Sequence, residues 1–268
     1  MRRGRPPSSR RSAIQAQVTA SEDIAPDQVE AARARLDALE RYTDDPPVAA
    51  RLTLRHAAAH TKFARYLADA SVLFDGRLLA AHAGGRTPVE AADAAAARLR
   101  RQLRRAVDAD VALRNEPRVI RAALEDLARD RERLPQVRLK PPEEREIVHR
   151  RTYAEQPEST LTAIADMLDL DEEFHLFKHV FTGEDVVVHR RDDGAIGLLH
   201  PPGSALAGEN DVVVPEPSRY SGPLTLDHAR AEMDFLNHRF LYFQDAGDDR
   251  GKVLYLRHDG DYGLVEPQ

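Results

Sequence analysis

The stretch RDDGAIGLLHP, residues 191–201, is written again with small changes as RHDGDYGLVEP at residues 257–267. An offset of 66 positions relates the two, and the same offset carries Phe174 to Phe240, Phe177 to Phe243, Met167 to Met233 and Pro157 to Pro223. The second half of the chain therefore contains an internal duplication. Each copy, 147–201 and 213–268, reads as a short strand, a helix and a meander of strands. In the first copy Ala163, Ile164, Met167 and Leu168 mark the helix, and strands follow at 174–181, 185–191 and 196–199. The pairs Asp193-Gly194 and Asp259-Gly260 supply hairpin turns. The strand centres Val186-Val187-Val188 and Val253-Leu254-Tyr255-Leu256 are apolar at consecutive positions, so both faces of each sheet require cover. One short helix covers one face only, and a unit of about 55 residues is marginal by itself. The reading is that each copy buries its second face against another copy, through a pairing core of Phe174, Phe177, Val187, Leu198, Phe240, Phe243, Val253, Tyr255 and Leu264.

Upstream, the pattern changes. Residues 1–12 hold arginine, proline and serine without apolar periodicity and read as a disordered basic arm bearing Arg2, Arg3 and Arg5. Residues 13–110 read as a strand at 14–20, a helix opening at Pro26-Asp27 with Val29, Ala32, Leu36 and Leu39 on one face, and strands at 48–57, 64–74 and 77–83. A second helix begins at Pro88. Asp75-Gly76 joins the last two strands as a tight hairpin. The fold class is thus α+β: a β-α-β-β-β-α layer, both helices on one face of a four-stranded sheet, followed by two small β-rich tandem repeats. Residues 111–146 form a charged connector with a helical segment at 119–134, and the exposed run KPPEERE closes it at a domain boundary.

Charge is divided unevenly. The formal net charge is −6, but residues 1–110 carry 19 basic against 14 acidic side chains, a net +5, which leaves −11 for the remainder. One end suits a polyanion and the other repels it. On the second helix, positions 100° apart place Ala95, Leu99, Leu103 and Ala106 on one face and Arg98, Arg100, Arg101, Arg104 and Arg105 outside it. Five arginines with no acid among them repel one another at i,i+3 and i,i+4, which gains nothing for folding and is relieved by phosphates.

Other chemistry is sparse. The chain has no cysteine, which excludes disulfides, thiol nucleophiles and cysteine-based metal sites, and no apolar run of membrane-spanning length. A cytoplasmic location is the expectation. His56 and His60 lie on a strand end with no carboxylate nearby in sequence, and His175 and His179 are about 13 Å apart on an extended strand, so neither pair reads as a metal site. Gly84-Gly85 lacks the lysine and serine of a phosphate loop, and the acidic run 171–173 reads as a solvated loop. No catalytic residue, cofactor or metal is expected, and the protein does not read as an enzyme.

The phrase IVHRRTYAEQPESTLTAIADM at 147–167, then FHLF and RRDDGAIGLLHP, resembles the C-terminal dimerisation domain of long hibernation-promoting factors, and the second copy resembles it too. The upstream element order and TPVEAADAAAARLRRQLRR at 87–105 are similar to that family's ribosome-binding N-terminal domain. The resemblance implies a translation inhibitor that binds the small ribosomal subunit and its rRNA during dormancy or stress, and a C-terminal half capable of self-association. Here that domain occurs twice and neither copy is complete. Ala195-Ile196 stands where the second copy keeps Asp261-Tyr262, and Leu256 stands where the first keeps Arg190, which leaves ribosome dimerisation open. The other reading is an interaction scaffold without ribosome affinity that uses the repeats to associate.

Overall fold

The structure is a computed structural model and describes residues 16–42, 47, 49–57, 65–109, 140–153, 156–206, 213–236, 238–257 and 259–268. The basic arm, with Arg2, Arg3 and Arg5, and the helical segment expected at 119–134 lie outside the described residues. The chain divides into two compact units, in essence the residues up to Asp108 and those from Ala109 onward.

In the first unit β1 (Ala16–Ala20), α1 (Pro26–Asp37), β2 (Ala49–His56), β3 (Tyr66–Phe74), β4 (Arg77–Gly85) and α2 (Pro88–Ala109) follow one another. The sheet order is β1-β2-β3-β4, with β1 parallel to β2 and the other pairs antiparallel. Alternation of side chains puts Leu52 and Leu54, Ala68, Ala70 and Val72, and Leu79, Ala81 and Ala83 on one face. They share a single core with Leu36 of α1 and with Ala95, Leu99, Leu103 and Ala106 of α2, so both helices cover the same face. The β3–β4 hairpin turns through Asp75 at φ 47° and Gly76 at φ 73°, two left-handed residues as a two-residue turn of this hand requires. At α2, Thr87 Oγ1 accepts from the Glu90 N–H, while the Glu90 carboxylate accepts from the Arg86 N–H. This reciprocal cap fixes where α2 starts.

The second unit contains β5 (Ile147–Tyr153), α3 (Thr160–Asp169), β6 (Phe174–Lys178), β7 (Asp185–Arg190), β8 (Ile196–His200), β9 (Val213–Pro217), α4 (Leu226–Leu236), β10 (Phe240–Gln244), β11 (Gly251–Leu256) and β12 (Tyr262–Pro267). Every element of the first copy and its counterpart begin 66 positions apart, from Ile147 and Val213 to Ile196 and Tyr262. The sheets nevertheless do not follow the repeats. One has the order β6-β7-β8-β9 and the other β10-β11-β12-β5. Each copy's leading strand thus joins the other copy's sheet, β9 parallel to β8 and β5 parallel to β12. Both exchanged strands are edge strands, which is where Pro215 of β9 is tolerated without an N–H to donate.

The period of two divides the apolar residues among three cores. Val186, Val188, Phe177 and Leu198 pack with α3, and Leu254, Phe243 and Leu264 pack with α4. Val187, Leu176, Tyr242, Val253 and Val265 form the third, together with the partly buried Phe174, Leu199, Phe240 and Tyr255. Of the nine side chains expected in the pairing core, Phe174, Val187, Phe240, Val253 and Tyr255 lie between the sheets. Phe177, Leu198, Phe243 and Leu264 do not; they point to the opposite pleat, under the helices. Phe174 and Phe240 stack at 5.0 Å between ring centroids, while Tyr255 lies 5.5 Å from Phe174 and His189 lies 5.4 Å from Phe240.

The Asp193-Gly194 and Asp259-Gly260 pairs lie in the β7–β8 and β11–β12 hairpin turns, as expected. Gly194 and Gly260 occupy the fourth position of turns closed by their N–H groups onto Arg191 O and Arg257 O, with φ 88° and 90°. Asp193 and Asp259 accept from the guanidinium groups of Arg191 and Arg257 two residues earlier, each at 2.9 Å in its shorter contact. The arginine that opens each duplicated phrase is therefore part of its turn.

Candidate nucleic-acid interface and the paired repeats

The arginines of α2 are not equivalent. Arg98 Nη1 donates to His82 O at 2.6 Å and Gln102 Nε2 to Ala80 O at 2.6 Å, so one side of the helix satisfies carbonyls along the outer edge of β4. All five arginines lie outside the apolar face, but Arg98 is bonded to the sheet edge. A partner on an edge strand 16 residues back leaves no trace in helical periodicity. Arg100 and Arg104 lie 5.3 and 5.6 Å from the ring centroid of Tyr42, and Arg100 Nη1 donates to the Tyr42 hydroxyl at 3.2 Å. That hydrogen bond and the nearby positive charges hold the phenol below its ordinary pKa. Arg104 is exposed and Arg101 and Arg105 are half-buried, outside the core beneath the helix. The arrangement offers several cationic groups and an aromatic ring along one helix, a combination suited to phosphates.

On the face of the sheet opposite the helices, Asp69 accepts from Arg55 at 2.9 and 3.0 Å and bonds His82 Nδ1 at 2.8 Å. Burial raises its pKa, but the bonds to His82 and Arg55 outweigh this and hold it at about 2. Sequence reasoning missed this network, and it missed Tyr42. Only the strand register, Thr53↔Asp69↔His82, could have revealed the first. His56 does have a carboxylate partner, Asp23, which belongs to the loop before α1 and so is distant in sequence.

In the second unit, segment 140–146 is exposed at residues 141–144 and 146, as expected, but it is anchored at Lys140 and Arg145. Arg145 is buried and donates to Asp234 at 2.5 Å and to the Tyr262 hydroxyl at 3.2 Å, and Lys140 bonds Asp261 at 2.6 Å. The counterparts of Lys140, Asp234 and Tyr262 in the other copy are Leu206, Leu168 and Ile196, all buried in the core under α3. At these three positions a polar network in one copy is replaced by apolar packing in the other, while Asp211, the counterpart of Arg145, lies outside the described residues.

His175 bonds Glu158 at 3.1 Å and lies 3.6 Å from Glu172. Burial opposes its charge, but these two carboxylates outweigh burial and push its pKa up to about 9. Asp166 comes close as well, the three ligand atoms of Glu158, Asp166 and His175 lying within 4.8 Å of one another. With the imidazole protonated near neutral pH, it and these carboxylates make an ion-pair cluster. With the folded pKa above the unfolded value of about 6.5, its stabilisation is complete below that value and is lost as pH rises through 9. We expect the stability difference between the parent and His175→Gln, on the order of 2–3 kcal/mol at pH 6, to shrink steadily between about pH 6.5 and 9 and to be nearly gone by pH 10. Thermal unfolding of both proteins across that range checks it, and a pH-independent difference would refute it.

Comparison with known proteins agrees with this division of the chain. Residues 17–110 match the family described as Sigma 54 modulation protein / S30EA ribosomal protein. Residues 142–198 and 208–264 each match Sigma 54 modulation/S30EA ribosomal protein C terminus. A Mycobacterium tuberculosis protein named Dormancy associated translation inhibitor is 31% identical over 171 residues, 58% of this chain and 60% of the relative. A Bacillus subtilis protein named Ribosome hibernation promotion factor is 40% identical over 45 residues, 17% of this chain and 24% of the relative. This chain thus spans less than two thirds of the length of these relatives. The crystal structure of Thermus thermophilus Protein Y N-terminal domain aligns with 35% of this chain and 98% of its own, at 22% identity and a TM-score of 0.28. With one N-terminal domain and two successive C-terminal domains of this kind, the chain belongs to the Sigma 54 modulation/S30EA ribosomal protein family.

Proposed function

We propose that this protein inhibits translation in the cytoplasm by binding rRNA of the small ribosomal subunit through α2 of its first unit, while its two C-terminal repeats pair with each other inside one chain. The observation that carries the first part is the arginine series on α2, of which Arg101, Arg104 and Arg105 lie outside the core. The names of its relatives, Ribosome hibernation promotion factor and Dormancy associated translation inhibitor, support a ribosomal partner. Among the described residues no helix is long and apolar enough to cross a membrane, which accords with a ribosomal partner. The test is sedimentation of lysate through a sucrose gradient. The protein is expected in ribosomal fractions at low salt and is released as salt rises. Recovery only at the top of the gradient at every salt concentration overturns ribosome binding and favours the scaffold reading.

A further inference from the structure

The contact between the two sheets is uneven at one point where pseudo-symmetry would make it even. Asp185 and Gly251 are counterparts at the 66-residue offset, and so are Glu184 and Arg250. Asp185 and Gly251 also touch. The Gly251 N–H donates to Asp185 Oδ2 at 2.9 Å, and a Cβ added to Gly251 would stand 2.6 Å from Asp185 Cβ. A residue that touches its own counterpart lies on the pseudo-twofold axis, so pairing of two identical copies would place it against itself. Around this point the Asp185 carboxylate is almost fully buried and accepts from Arg250 Nε at 2.8 Å, from Arg250 Nη2 at 3.1 Å and from the Tyr153 hydroxyl. The Tyr242 hydroxyl donates to Asp185 O at 2.7 Å.

Identical pairing fails here in both directions. Two first copies would bring Asp185 against Asp185, closer than their Cβ atoms allow. Glu184 would also stand where Arg250 now neutralises the buried carboxylate, so four acids would meet with no base. Two second copies would bring Gly251 against Gly251, leaving two Arg250 guanidinium groups without the Asp185 carboxylate that Arg250 now binds, and a gap where the Asp185 side chain sits. We propose that Glu184-Asp185 and Arg250-Gly251 form a recognition pair that makes the repeats selective for each other, so that the first copy pairs with the second and neither pairs with its own kind. The inference rests on the pairing of the repeats within one chain, and its test reads that pairing rather than ribosome binding.

Three full-length variants decide it. One is acidic in both copies (Arg250→Glu, Gly251→Asp), one basic in both (Glu184→Arg, Asp185→Gly), and the third carries all four changes and so reverses the pair. The acidic and basic variants are each expected to lower the calorimetric midpoint of the C-terminal unit by about 6–12 °C, because each strands buried charge. The reversed variant should regain at least half of that loss. Acidic and basic variants refolded together should form a complex of two chains that neither forms alone, measured by light scattering. Unchanged midpoints in the acidic and basic variants overturn the proposal. Equal losses in all three variants, with no complex on mixing, also overturn it, because the four residues would then be ordinary packing residues.

Discussion

Replacing Arg101, Arg104 and Arg105 together by glutamine is expected to weaken ribosome binding on the order of 100-fold or more, at about 1 kcal/mol or more per lost phosphate contact. The log–log salt slope should fall by up to about 0.7–0.9 for each of the three. Glutamine keeps the helix, since its propensity is close to that of arginine and none of the three belongs to the core beneath α2. Arg98 is left in place deliberately. It holds the His82 carbonyl on the edge of β4, so its loss would mix a folding effect into the binding measurement. Binding to purified small subunits over a range of salt concentrations, alongside thermal unfolding of the same protein, reads both terms. Unchanged affinity and slope would take α2 out of the interface.

Deleting residues 213–268 should unfold what remains of the second unit rather than leave one tidy repeat. The deletion removes β9 from the edge of the first sheet, takes away β12 to which β5 is bonded, and uncovers Leu176, Val187, Phe174 and Leu199. Uncovering four such side chains costs on the order of 5–10 kcal/mol, comparable with the whole stability of a small domain. Circular dichroism and proteolysis of the truncated chain should therefore report loss of a cooperative transition for residues 140–206. The intact chain, by contrast, should scatter light as a single chain over a hundredfold dilution. Two repeats separated by a dozen residues meet at an effective concentration on the order of millimolar. A truncated chain that melts cooperatively, or an intact chain that is a stable dimer at micromolar concentration, contradicts the closed pair.

Most elements were legible because their signals are local. Helical spacing located α1 and α2, Asp75-Gly76 located a hairpin, and three consecutive valines correctly indicated a sheet covered on both faces. What escaped was non-local. Parallel pairing of β5 with β12 joins residues more than a hundred positions apart, and nothing in IVHRRTY distinguishes a strand that stays in its own repeat from one that leaves it. The same blindness affected the site. The five arginines of α2 look alike on a helical wheel, but the wheel carries no record of the β4 carbonyls that engage Arg98 or of Tyr42, 58 residues before Arg100. The pairing core was overfilled for a related reason. Phe177 and Phe243 are as apolar as Phe174 and Phe240, and only the pleat assigns them to opposite sides.

The placement of β5 also sets a clock on the protein's own synthesis. Its partner β12 begins at Tyr262, so at about 5–20 residues per second the strand waits roughly 6–23 s after emerging before anything can pair with it. During that interval it is an unpaired edge of the kind that recruits other nascent chains. Its composition suits the wait, since His149, Arg150 and Arg151 interrupt the apolar residues and keep stray strands from adding. The C-terminal unit consequently cannot close until translation has reached its final strand.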